Sequence, residues 1–257
     1  HPPPFMFLVV GGSGRLGSSV ANRLHRRGLA VCVLGRGLAA NPGTLDGGVE
    51  VVQGDVRDPA SLVAPMEGVD VVVSAIQGFA GRGGVTPQSV DRDGNIHLID
   101  AAERAGADMV MLSVIGASAG SGMELMRMKF AAEQRLRSGS CQWTILRSDA
   151  YAETWIGLLE QTAGRSGKPR VFGRGDNPIS WVSVEDVAAV VERAVVDTSL
   201  RGRVLELCGP EPETLTRLAE MVMAHHGWTG TPKNVPRSVP HLMANTVDRV
   251  KPELGRH

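Results

Sequence analysis

Gly11, Gly14 and Gly17 stand three residues apart behind the apolar run Phe5 to Val10, and Gly12, Gly14 and Gly17 also satisfy G-x-G-x-x-G. A turn of this composition between a strand and a helix suits a pyrophosphate. One glycine makes the tight turn, one lets the backbone approach the phosphates, and one lets helix and strand pack closely. The helical pattern that follows, with Leu16, Val20 and Leu24 on one face, offers free N–H groups and the positive end of its dipole. The next apolar run ends in Leu34-Gly35-Arg36-Gly37, without a carboxylate. An NAD site wants an acid there, roughly 20 residues beyond the glycines, to accept from the ribose hydroxyls. Arg36 instead offers bidentate, charge-assisted bonds to a 2′-phosphate, and Arg15 could reach the same group. Two solvated arginines are the alternative. The missing acid sets the expectation of NADP(H) ahead of NAD(H).

Groups of this kind need a rigid scaffold, and strand-like and helix-like segments alternate along the chain. The pattern predicts strands at Phe5 to Val10, Ala30 to Leu34, Val49 to Gln53, Val71 to Ala75, Met109 to Ser113 and Trp143 to Arg147. Helices are expected at Asp58 to Met66, Ser89 to Ala105 and Met123 to Arg137, with glycine-rich loops at Gly37 to Gly48, Gly78 to Gly84 and Gly116 to Gly122. Such alternation signifies an α/β fold, a doubly wound parallel sheet of Rossmann type. Residues 5–150 make the nucleotide-binding domain. Residues 151–257 form a mixed segment that completes the sheet and builds a small C-terminal substrate-binding lobe. Within it, Tyr151 to Gln161, Ser183 to Val196 and Thr214 to His226 read as helices, Ile179 to Val182 as extended and Val204 to Cys208 as a strand. Ser183-Val-Glu-Asp186 resembles a capping box, which makes Asp186 structural.

Composition bounds the function. The 257 residues carry 27 Lys and Arg against 27 Asp and Glu, so the net charge of zero gives no nucleic-acid or membrane surface. Hydrophobic residues make up 42% of the chain and aromatics only 4%, so valine, leucine and alanine must fill the core. Cys32, Cys141 and Cys208 show no metal-ligand spacing and read as buried, inert thiols. His225 and His226 are adjacent on a helix and make a poor metal pair. No metal site is expected. No stretch reaches the roughly 18 apolar residues of a membrane helix, and no signal peptide is visible, so a cytoplasmic protein is expected. His1 to Pro4 reads as a leader outside the fold.

The ordered motifs carry a family resemblance. Val10-Gly-Gly-Ser-Gly-Arg-Leu-Gly17, Gly54-Asp-Val-Arg-Asp58, Val90-Asp-Arg-Asp-Gly-Asn95 and Leu98-Ile-Asp-Ala-Ala102 resemble the atypical short-chain dehydrogenase/reductases. Met111-Leu-Ser-Val-Ile-Gly116, Lys129-Phe-Ala-Ala-Glu133 and Thr144-Ile-Leu-Arg147 continue the likeness, which spans about residues 5 to 210. The nearest branch is the NmrA-like, NAD(P)H-binding group that includes isoflavone and benzylic-ether reductases. The resemblance implies that Gly11, Ser13, Gly14, Arg15, Leu16 and Gly17 hold the phosphates. It implies that Asp55 and Val56 line the adenine, Asp55 accepting from its amino group. Asp55 can also be read as a turn residue beginning a helix. Ala75, Ile76 and Gln77 would border the ribose and nicotinamide.

Most oxidoreductases of this family use a Tyr-x-x-x-Lys pair with a nearby Ser or Thr, the tyrosine delivering a proton as hydride arrives. Here Lys129 fits the lysine and Ser113 the serine, but Leu125 stands at the tyrosine position, and the single tyrosine of the chain is Tyr151. The benzylic-ether reductases imply that Lys129 both holds the ribose and acts as the acid–base group, an ammonium partly desolvated beside a cofactor. Otherwise Lys129 is a surface lysine paired with Glu133 one turn later, and Ser113 is one of the serines that commonly end strands. The expected activity is NADP(H)-dependent reduction of a small, largely apolar molecule by a monomer or homodimer. Gln77, Phe79, Tyr151 and Trp155 are candidate substrate contacts. Two other readings stay open: an NADP(H)-binding redox sensor without turnover, and a non-redox isomerase or lyase that reuses the cofactor cleft.

Overall fold

Valine-rich runs at the start of the chain become strands buried on both faces, as parallel sheets covered by helices require. The computed structural model describes residues 5–36, 45–78 and 83–236. The first half runs β1 (Met6–Val10), α1 (Arg15–Arg26), β2 (Ala30–Gly35), β3 (Glu50–Gln53) and β4 (Val71–Ser74). It continues with α2 (Asp93–Ala105), β5 (Asp108–Val114), α3 (Glu124–Ser138) and β6 (Trp143–Ser148). The second half holds α4 (Ala152–Ala163), β7 (Arg170–Phe172), β8 (Pro178–Ile179), α5 (Val184–Val196), β9 (Arg203–Leu207), β10 (Glu213–Thr214), α6 (Leu215–His226) and β11 (Lys233–Val235).

The main sheet has the order β3-β2-β1-β4-β5-β6-β9, and every pairing in it is parallel. From β1 the chain moves outward through β2 to β3, then crosses to β4 on the opposite side of β1. Doubly wound sheets take their ligands at such a reversal, beyond the carboxyl ends of the strands. The fold is therefore the Rossmann-type parallel sheet that the alternation predicts. Its core gathers Leu8, Val10, Cys32, Val72, Leu98, Ile99, Met109, Met111 and Ile145. Each such side chain, fully buried, stabilises by about 1.5–3 kcal/mol.

The chain divides into two compact units, His1–Asp149 with Val182–Leu207 and Ala150–Trp181 with Cys208–His257. Helix α5 and strand β9 thus belong to the first unit, β9 lying parallel beside β6. Ser183 caps α5 by accepting from Glu185 N. The second unit pairs β7 with β11 in parallel and β8 with β10 in antiparallel fashion. Leu159, Val171, Leu215, Leu218, Ala219 and Val222 form its own small core.

Four expectations need correction. The helix at Asp58 to Met66 is two 3-10 turns, Pro59–Leu62 and Ala64–Met66. Pro65 lacks an N–H and clashes with the preceding turn, so an α-helix cannot run through it. The helix at Ser89 to Ala105 is a π-helical turn, Pro87–Arg92, followed by α2. The extended run at Ile179 to Val182 pairs only over Pro178–Ile179. Cys208 is exposed, beyond the end of β9, whereas Cys32 and Cys141 are buried and desolvation pushes both thiols up to about 11. Residues 37–44 and 79–82 of the expected glycine-rich loops lie outside the described residues.

Candidate functional site

The glycine turn leaves β1 at Val10 and enters α1 at Arg15. Gly14 N donates to Gly11 O at 3.0 Å, which closes the turn. Gly11 has φ +91°, left-handed backbone that disfavours any side chain, and a methyl there would lie 2.5 Å from Ala75 O. At Gly17 a methyl would collide with the carbonyl of Gly11 and with Gly12, so only glycine allows α1 to start this close to the strand. The helix is capped by Gly14, and no side chain accepts from its first turn. A serine or aspartate would commonly do so. Ser13, Gly14 and Arg15 are exposed and Leu16 is half-buried. The result is a cradle lined by backbone, with the positive end of α1 facing it. Those features fit a pyrophosphate.

At the carboxyl end of β2, Arg36 is exposed. Beyond β3, the Asp55 carboxylate accepts from Arg57 Nε at 3.0 Å, Arg57 Nη2 at 2.6 Å and Arg57 N at 2.9 Å. The bond from Arg57 first, and the charge of Arg36 to a lesser degree, hold Asp55 below the usual carboxylate range. Arg57 also donates to Gly83 O at 2.8 Å, which ties the end of β3 to the segment after β4. Asp55 is indeed in a turn, but the capping of the following 3-10 turn falls to Asp58, which accepts from Ala60 N. The Val56 side chain belongs to the core.

At the end of β4, Ala75 N donates to Val10 O at 2.8 Å, so β1 and β4 run on side by side into the two loops. Ile76 is buried and Gln77 exposed, while Phe79 lies outside the described residues. Lys129 comes to this point from α3. Its side chain is buried, and Nζ donates to Ile76 O at 2.8 Å and Leu112 O at 3.1 Å. The third neighbour of Nζ is Asp91 Oδ1 at 3.0 Å. Asp91 is fully buried, and its Oδ2 accepts from Gly78 N at 2.8 Å. The alternative of a surface pair with Glu133 is therefore incorrect. Lys129 lies on the inward face of α3 with Leu125, Ala132 and Leu136.

Glu133 has a different set of partners. Arg147 grips it through Nε at 3.0 Å and Nη2 at 2.7 Å, and Ser113 Oγ donates to it at 2.6 Å. Ser113 is buried, its hydroxyl committed to that cluster. Leu125 is buried. Tyr151 and Trp155 belong to the second unit. Tyr151 stands half-buried just before α4, and Trp155 meets Trp181 edge-on at 5.8 Å. Sequence reading missed Asp91 and Arg57. Both sat within quoted motifs, but neither motif shows which distant group the side chain meets. Among the described residues, no cluster of His, Cys, Asp and Glu could hold a metal, and no helix is long and apolar enough to cross a membrane.

Residues 11–198 match the family described as NAD(P)H-binding. The chain is 28% identical over 224 residues to the NAD(P)H azoreductase of Xenophilus azovorans, covering 86% of this chain and 74% of that protein. It is 27% identical over 238 residues to the photosystem II assembly factor Ycf39 of a Synechocystis strain, covering 92% of this chain and 72% of that protein. Among solved structures, the NADPH-dependent quinone oxidoreductase QOR2 of Escherichia coli, complexed with NADPH, superposes with a TM-score of 0.75 at 22% identity. That match covers 94% of this chain and 83% of the other, and it is a likeness of fold.

Proposed function

The chain belongs to this NAD(P)H-binding family, and from that membership we propose an NADPH-dependent reductase of a small, largely apolar acceptor. The observation that carries the reading is the backbone-lined cradle from Gly11 to Gly17, at a helix start that its N-cap residue does not close with a side chain. The azoreductase relative supports reduction as the chemistry. Within the family we assign the chain to the NmrA-like branch of isoflavone and benzylic-ether reductases, on the motifs that resemble it.

In this reading Gly11, Ser13, Gly14, Arg15, Leu16 and Gly17 hold the pyrophosphate, and Arg36 binds the 2′-phosphate. Asp55 and the Val56 backbone border the adenine, while Ala75, Ile76 and Gln77 border the nicotinamide ribose. The chemistry that the bound coenzyme brings is hydride transfer. Lys129 is the group we assign to the ribose, because its ammonium is held beside Ile76, just after β4, and Leu112 in β5. Ser113 positions Glu133 rather than a reacting atom. With Leu125 in place of a phenol, a suitable acceptor takes its proton from water. Azo compounds and quinones meet that requirement. Gln77 is the residue of the first unit that we assign to the acceptor.

Titration of NADPH and NADH against the protein, followed by fluorescence, tests the coenzyme. Arg36→Ala should weaken NADPH by about tenfold or more through loss of a charge-assisted contact, with NADH nearly unchanged. Equal losses would contradict the 2′-phosphate assignment. A second reading, coenzyme binding without turnover, is favoured by Leu125 and by the likeness to a protein named as an assembly factor. Consumption of NADPH with a naphthoquinone or an azo dye decides for the reductase. No consumption with any acceptor, beside tight NADPH binding, decides for the second reading.

A further inference from the structure

Asp91 Oδ1 is the one buried side-chain nitrogen or oxygen among the described residues without a hydrogen-bond partner. This oxygen lies 3.0 Å from Lys129 Nζ, an ion pair whose angles do not make a hydrogen bond. Asp91 Oδ2 is fixed by Gly78 N at 2.8 Å. The backbone around it is held as well. Asn95 Nδ2 donates to Asp91 O at 2.8 Å, and Asn95 Oδ1 accepts from Ser74 Oγ at 2.6 Å, the last residue of β4. Asp91 also lies in the π-helical turn Pro87–Arg92, a rare conformation that is frequent at functional sites.

A fully buried carboxylate with one oxygen unbonded is expensive unless a cation compensates it. Here the cation is the lysine whose usual tyrosine neighbour is a leucine. We infer that Asp91 is a positioning residue for the nicotinamide half of the cleft. It is the counter-ion that faces the buried Lys129 ammonium, and it holds Gly78 N–H at the mouth of the same loop. Because Oδ1 attracts Nζ without fixing its direction, the ammonium can give up Leu112 O, its longer bond, and turn to a ribose hydroxyl. The inference rests on the reading that the cleft takes NADPH.

The test compares NADPH with adenosine 2′,5′-bisphosphate, which carries the adenosine half but no nicotinamide ribose. Asp91→Asn keeps the shape and removes the charge. NADPH affinity should fall about tenfold, as for a lost charge-assisted bond, while the bisphosphate binds as before. Equal losses for both ligands, or none for either, would overturn the role. Should Asp91→Asn fail to fold, Asp91→Asn with Lys129→Met leaves no charge uncompensated. In that pair the NADPH affinity should equal that of Lys129→Met alone, because Asp91 acts through the ammonium, and a further loss specific to NADPH overturns the assignment. Wild-type protein that binds both ligands yet reduces no acceptor sinks the reductase reading while the binding comparison stands. Wild-type protein that binds neither sinks both.

Discussion

Arg57 closes on Asp55 with two guanidinium nitrogens and its own backbone N–H, and it reaches Gly83 O with a third nitrogen. The Asp55 carboxylate accepts its hydrogen bonds from Arg57 and meets Arg36 only through charge. Arg57→Ala should therefore return the Asp55 titration upward toward the ordinary carboxylate range and weaken NADPH, since a bare Asp55 competes for the charge of Arg36. Carboxyl NMR titration checks the first effect, and an unmoved midpoint would refute it. The sign for stability follows from the lowered value. The pair stabilises the fold above the unfolded carboxyl value of about 3.9. That contribution is lost as pH falls through the folded value. With the Asp55 side chain 27% exposed, solvent screens the effect. It should be worth less than about 1 kcal/mol. At this scale the closely packed glycines of the turn were legible, because their meaning lies in type and local spacing. Asp91 and Arg57 were not, because a side chain is given its task by a neighbour that only tertiary structure supplies.

Helix α3 shows where spacing helps and where it misleads. Leu125, Lys129, Ala132, Glu133 and Leu136 share its buried face. That face is readable from the 3.6-residue period, and it places Lys129 inward before any partner is known. The four-residue step from Lys129 to Glu133 suggests a solvent-facing pair, yet each residue found its partner elsewhere. Glu133 joins α3 to β5 through Ser113 and to β6 through Arg147. Glu133→Ala should lower the unfolding free energy by about 3 kcal/mol, because it breaks a buried ion pair and leaves Arg147 only the exposed Glu206, 3.6 Å away. Urea denaturation with an unchanged slope measures it, and a loss within error of zero would show that Arg147 escapes to solvent. Proline and π turns explain the misread helices. Pro65 was visible as a breaker, whereas the π turn at Pro87–Arg92 has no periodic signature of its own.

For the molecule as a whole, alternation was enough to foresee a doubly wound parallel sheet, since strand and helix periods are local properties. The path of the chain was harder. Residues 182–207 leave the second half of the sequence and return to the first unit as α5 and β9. Nothing local distinguishes a strand that closes the main sheet from one that pairs elsewhere. The division has a thermodynamic consequence, because every residue assigned to the phosphates, adenine and ribose belongs to the first unit. A ligand that binds only folded protein adds about 2.7 kcal/mol at a hundredfold excess over its dissociation constant. For a unit of this size that should raise the melting temperature by about 5–10 °C. Calorimetry with saturating NADPH should show that shift, and if the two units melt separately, only the transition of the first should move. A shift confined to the other transition would mean that the coenzyme is held outside the glycine cradle.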